Sequence, residues 1–146
     1  MHVLLDTHVL LWALTDDGRL SERARDLIAD PDNTVHVSAA CLWEIAIKHA
    51  LGKGNMPVAP EPAQHWCREA GYDSLAVTAV HAVAVHSLPA HHRDPFDRIM
   101  VAQALCEPMR LITHDEQVAK YDPSIVLVQR PVRSALIAAE ATHPPE

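Results

Sequence analysis

The chain has 146 residues, 49% of them hydrophobic but only 4% aromatic, and a formal net charge of −7 with histidines neutral. That length supports one domain with a substantial core, and the acidic balance excludes a general nucleic-acid binder that works through a broad basic face. It leaves room for an enzyme whose acids gather round metal ions, which reverse the local charge, and for a protein that docks a basic partner.

The first element predicted is a strand, His2-Val3-Leu4-Leu5, stopping at Asp6. Asp6 or Thr7 caps a helix through Leu10, Leu11, Trp12 and Leu14, broken by Asp16-Asp17-Gly18. Ser21 caps a second helix that closes at Asp30-Pro31, and Thr34 to Val37 form a second strand. Ser38 then caps a helix from Ala39 to Leu51, with Gly52 as its stop. It is apolar nearly all round, with Glu44 as its one acid, so it is expected to be buried in the fold or in an oligomer. Gly52 to Pro62 reads as a loop and is followed by a short helix through Trp66 and Cys67.

A third strand is expected at Ser74–Val77 and a helix capped by Thr78 to about Ser87. In Asp94-Pro95-Phe96-Asp97-Arg98, Asp94 fits the N-cap, Pro95 the first helical position and Asp97 the first turn of a helix running to Cys106. Strands at Arg110–Thr113 and Ile125–Val128 follow, with a short helix to Tyr121 between them. Strands alternating with helices predict an α/β fold, a parallel sheet of about five strands flanked by helices. One domain is expected over 1–130. Residues 131–146 are expected to be a C-terminal extension, with a short helix through Leu136 and Ile137 before a frayed end. No run approaches a membrane span, and no leader with a cleavage site is visible. Cys41, Cys67 and Cys106 have no metal-type spacing and read as buried thiols in a reducing compartment. A cytoplasmic protein without a membrane partner is therefore expected.

Two strands end alike, Leu4-Leu5-Asp6 and Ile112-Thr113-His114-Asp115. In a parallel sheet their carboxyl ends share one edge, where ligands bind. The helices carrying Glu44 and Asp97 begin at that edge if the winding is the usual one. Each acid also has a purely structural reading: Asp6, Asp94 and Asp115 as helix caps, and Glu44 paired with Lys48 one turn on. Coincidence of all four of Asp6, Glu44, Asp97 and Asp115 is the less economical account. Converging carboxylates raise one another's pKa and call for a cation. Oxygen ligands favour Mg²⁺ or Mn²⁺, suited to activating water against a phosphodiester. His8, His91, His92 and His114 lie near the same place, but four carboxylates do not need them as ligands. Trp12, Trp43 and Trp66 have the helical spacing of core or dimer contacts.

These residues resemble a known family. Leu5-Asp6-Thr7-His8, Trp43-Glu44-Ile45-Ala46-Ile47-Lys48, His92 to Arg98 with Ala102-Gln103-Ala104, and Leu111 to Asp115 look like the four successive motifs of PIN-domain ribonucleases. The match is most like the VapC toxins of type II toxin–antitoxin pairs, over about residues 2–128. The resemblance implies a sandwich of helices about a parallel sheet, Mg²⁺- or Mn²⁺-dependent endonucleolytic cleavage of RNA, a homodimer, and an antitoxin that lays a peptide across the active site. It assigns metal binding to Asp6, Glu44, Asp97 and Asp115, with hydroxyl support from Thr7 and Thr113. Asp94 is then the cap holding Asp97. Arg98 anchors its helix or meets phosphate, with a surface ion pair as the plainer reading. With only Lys48, Lys53 and Lys120 as lysines, RNA contact is expected to fall to arginines such as Arg93, Arg98 and Arg110. The competing readings are a haloacid-dehalogenase-like phosphatase with Asp6 as nucleophile, in which His8 stands where a second acid is usual, and a non-catalytic partner-binding module.

Overall fold

The computed structural model describes residues 1–52 and 56–128. β1 (His2–Leu5) is the middle strand of a five-stranded sheet, flanked by β2 (Thr34–Ser38) and β4 (Arg110–Thr113), with β3 (Asp73–Leu75) and β5 (Val126–Leu127) at the edges. Every pairing is parallel. The chain builds outward from β1 through β2 to β3, then returns to β1's other side for β4 and β5. The order therefore reverses between β1 and β4, and a crevice opens outside the carboxyl ends at such a switch point.

Seven α-helices connect or flank the strands among the described residues: α1 (Thr7–Leu14), α2 (Glu22–Ala29), α3 (Ala39–Leu51), α4 (Pro60–Glu69), α5 (Ala79–Ala84), α6 (Pro95–Cys106) and α7 (Glu116–Ala119). Local chemistry sets their starts. Asp6, Ser21, Ser38, Thr78, Asp94 and Asp115 each accept a backbone N–H at the N-terminus they cap, satisfying donors that the helix leaves unpaired. Gly52 ends α3 at φ 63°, the left-handed conformation that glycine adopts without strain. The core lies on β1 and β4, where Val3, Leu4, Leu5, Leu111 and Ile112 are buried against Val9, Leu10, Ile45, Met100 and Val101. Burial of such side chains is worth about 1.5–3 kcal/mol each.

Several expectations need correction. α4 starts at Pro60, inside the expected loop, because prolines at the first turn of a helix give up N–H groups that had no partner. β3 covers only Asp73–Leu75, and α5 stops at Ala84 with one 3-10 turn, Val85–Ser87, after it. β5 is confined to two residues. Cys41 and Cys67 are buried as expected, but Cys106 is exposed because it falls on the last turn of α6. α3, expected to be buried in the fold or in an oligomer, is not covered all round by the fold itself: Trp43 and Leu51 are each 62% exposed. Trp66 is also exposed, while Trp12 is buried. The expected extension at 131–146 lies outside the described residues.

Candidate active site

Asp6 follows the last residue of β1 and is buried. Its Oδ1 accepts the Val9 N–H at 2.9 Å, and its Oδ2 accepts the Thr113 hydroxyl. Thr113 ends β4, on the other side of the switch point, and its Oγ1 also accepts the Asp115 N–H at 3.0 Å. One hydroxyl thus ties the two strand ends together. Burial pushes the Asp6 carboxyl up from its ordinary pKa, against the two hydrogen bonds that lower it.

Glu44 lies in the second turn of α3 and is 3% exposed. It accepts bonds from the Thr7 hydroxyl and from Lys48 Nζ. The expected ion pair with Lys48 therefore exists, within the cluster rather than instead of it. Burial works against the Lys48 charge, but the bond to Glu44 and the charges of Glu44, Asp94 and Asp97 outweigh it and raise its pKa.

Asp94 caps α6, its Oδ1 accepting the Phe96 and Asp97 N–H groups at 2.8 and 3.3 Å. This fixes Asp97 in the first turn. The Asp97 carboxyl is pushed up to about 8, first by burial and then by the charges of Asp94, Asp6, Glu44 and Asp115. Asp6, Glu44 and Asp115 thus all act on it electrostatically, after burial as the largest cause. Asp115 caps α7 through Oδ1, which accepts the Gln117 N–H at 2.8 Å.

His92 occupies a more central place than the sequence suggested. The Asp94 N–H donates to its Nδ1 at 2.9 Å, so Nε2 carries the proton of the neutral ring. That proton faces Asp115 Oδ2 at 3.1 Å and Asp97 Oδ2 at 3.4 Å. Ligand atoms of His92, Asp97 and Asp115 all lie within 4.8 Å of one another. The hydrogen-bonding signal was available: a histidine two residues before an N-cap can accept the cap's own N–H. No local pattern marks Tyr121, whose hydroxyl accepts the His92 N–H at 2.8 Å from 29 residues away.

Arg98 makes no ion pair among the described residues. Its guanidinium donates to the carbonyls of Val85, Leu88, Pro89 and His92 and to the Tyr121 hydroxyl. It anchors the segment leading into α6 and is occupied in doing so. Arg110 begins β4, at the sheet edge opposite the acids, so it is badly placed for a substrate held at them. Arg93 is exposed beside the cluster. His8 and His114 pack edge to face at 4.9 Å, and Trp12 stacks on His114 at 4.6 Å. Burial lowers the His8 pKa although Asp6 opposes it.

The donor set fits a hard divalent cation. A carboxyl held up to about 8 by burial and then by neighbouring acids would be relieved by such a charge. Oxygen donors in excess of one imidazole suit Mg²⁺ or Mn²⁺ better than Zn²⁺.

Comparison with known proteins agrees with this fold. No curated protein matches the chain. The fold matches VapBC2 from Rickettsia felis, solved with a promoter DNA fragment, at TM-score 0.63 and 16% identity, covering 90% of this chain and 100% of that one. It matches VapBC-1 from nontypeable Haemophilus influenzae at TM-score 0.59 and 17% identity, covering 88% and 98%. FitAcB from Neisseria gonorrhoeae gives TM-score 0.55 and 18% identity, covering 86% and 96%. Identities this low speak for the fold alone. The PIN domain family model, however, matches residues 3–123, a span that holds all four acids, and the chain belongs to the PIN domain family.

Proposed function

We propose that the protein is a metal-dependent endoribonuclease, the VapC-type toxin of a type II toxin–antitoxin pair. What supports this reading is the set of Asp6, Glu44, Asp97 and Asp115 about the switch point of the sheet, where burial first and the neighbouring acids second push the Asp97 carboxyl up to about 8. Asp97 and Asp115 would hold Mg²⁺ or Mn²⁺ most directly, with Asp6 and Glu44 completing the acidic rim. When bound, such an ion polarises a phosphodiester and lowers the pKa of its water.

The chain's own groups then have distinct tasks. Thr113 orients Asp6 and the backbone of Asp115 together. Thr7 and Lys48 orient Glu44. His92 holds a proton on Nε2 against Asp97 and Asp115. Arg98 and Tyr121 fix the backbone that presents His92 and Asp97. A covalent phosphatase loses support from Asp6, whose two carboxylate oxygens both accept bonds in a buried position. Solved neighbours that are toxin–antitoxin complexes support an antitoxin partner, and a net charge of −7 suits a basic antitoxin segment. The reading implies a cytoplasmic protein, and no helix among the described residues is long and apolar enough to cross a membrane.

A homodimer is part of the proposal. Val80 and Val83 on α5 are 69% and 73% exposed, next to a 560 Å³ apolar cleft lined by Trp43, Val77, Phe96 and Ile99. Exposed apolar patches such as these two mark interaction surfaces. Light scattering should give the mass of two chains for the purified protein and of one chain for Val80→Asp/Val83→Asp.

The deciding experiment incubates antitoxin-free protein with a broad RNA panel in Mg²⁺, Mn²⁺ or EDTA. Cleavage is expected only with metal, and not by folded Asp97→Asn. An uncut panel under every condition would reduce the chain to a partner-binding module.

A further inference from the structure

The acids do not occupy the whole crevice. A cleft of about 310 Å³ starts at Thr7, Glu44 and Lys48 and runs away from Asp97 towards Arg19. Leu11 and Trp12 line it, and Met56 is a further apolar wall. The volume is at the small end for ligand sites, enough for one nucleoside rather than a drug-sized molecule.

Arg19 is unusually well held for an exposed arginine. Its Nε and Nη2 donate to Asp17 at 3.1 and 2.7 Å, and its backbone N–H donates to the same carboxylate at 2.9 Å. Its guanidinium carbon sits 5.3 Å from the Trp12 ring centroid, and Trp12 is in turn stacked on His114. Asp17 uses two corners of the guanidinium, and Nη1 is the corner outside that pair. An arginine fixed in this way loses little freedom on binding.

The charges in the cleft are paired: Lys48 with Glu44 and Arg19 with Asp17. A near-neutral cleft with apolar walls and polar rims suits a flat, uncharged ring with hydrogen-bonding edges better than a strongly basic peptide. Arg98 and Arg110 compete poorly for this task, because Arg98 is spent on carbonyls and Arg110 is at the far edge of the sheet.

We propose that this cleft receives one unpaired base flanking the scissile phosphodiester, and that Arg19 selects bases offering a keto acceptor edge, guanine or uracil, over the amino edges of adenine and cytosine. The inference rests on the ribonuclease reading. Single-stranded RNA is recognised by splaying bases into such pockets and reading their edges, and an N–H donor rewards an acceptor edge.

The test is cleavage of a randomised single-stranded RNA pool by the full chain, with the new ends sequenced. The wild type should favour guanine or uracil about tenfold at one position beside the cut. Arg19→Ala should erase that preference and lower the rate, and Arg23→Ala, an exposed control on α2, should keep both. Arg19→Lys keeps the charge without the planar fork, so it should fold even where Arg19→Ala does not, and lose the preference while cutting. A pool cut without base preference, or with a preference that Arg19→Lys leaves intact, overturns the inference while the nuclease reading stands. A pool left uncut under every metal overturns both. Loss of antitoxin binding by an Arg19 variant whose cutting pattern is unchanged would give the cleft to the antitoxin and overturn the inference.

Discussion

The two edges of the same sheet carry polar residues in opposite ways. At the amino edge the strands begin with His2, Asp73 and Arg110, all exposed, and with the half-buried Thr34. At the carboxyl edge they end in Ser38 and Thr113, both fully buried, with Asp6 just beyond β1 also buried. Polar groups in water cost the fold little. The same groups under cover must be hydrogen-bonded, and a buried carboxylate with acidic neighbours is costly even then. A sheet that hides its acids at one edge and solvates its polar groups at the other marks the first edge as the working one.

The largest expected effect comes from breaking that edge. Asp6→Asn or Asp97→Asn should lower metal-dependent RNA cleavage by more than about a hundredfold, since even outer-shell partners of a metal site are worth about 10–100-fold. Circular dichroism should show both variants folded.

A second effect concerns pH. The Asp97 carboxyl, ordinarily 3.8, is pushed up to about 8 in the fold. The folded chain therefore keeps a proton that the unfolded chain releases above about pH 4. In EDTA, stability should fall as pH rises from about 4 to about 8. Melting temperatures across that window should decline in the wild type and much less in Asp97→Asn. Mg²⁺ should recover more stability at pH 8 than at pH 5, because it competes with the proton for the carboxylate. A flat wild-type profile would show that the Asp97 carboxyl is not raised in solution.

A smaller effect is expected from Thr113→Val, which is close in shape. It removes the donor to Asp6 and the acceptor of the Asp115 N–H. Chemical denaturation should show a loss of about 1–3 kcal/mol, and cleavage should fall about 10–100-fold. The smallest is Arg110→Ala at the amino edge, expected within about 0.5 kcal/mol of wild type and with unchanged cleavage. A large loss there would erase the contrast between the edges.

Much of the site's framework was legible because its rules are short-ranged. Ser38, Thr78 and Asp94 cap helices from three residues of context, and Pro95 and Gly52 mark boundaries by their own backbone limits. Strand–helix alternation carried the parallel sheet, and the order of motifs carried the acids. The roles of Arg98 and His92 were harder to see, because charge alone does not say whether an arginine meets phosphate or five oxygens of its own chain. Whether Trp43 belongs to the core or to a dimer contact was not legible for a related reason: an apolar helix surface in sequence does not say whether the fold itself supplies the cover.

The sequence by itself determined where helices begin, which residues are apolar, and which acids sit at strand and helix ends. Only the tertiary structure decided which of those ends meet. The Thr113 hydroxyl reaches Asp6 across 107 residues, and Tyr121 reaches His92 across 29. Such contacts depend on the strand order that brings β4 beside β1. That order follows from how the whole core packs, and no local stretch of chain encodes it.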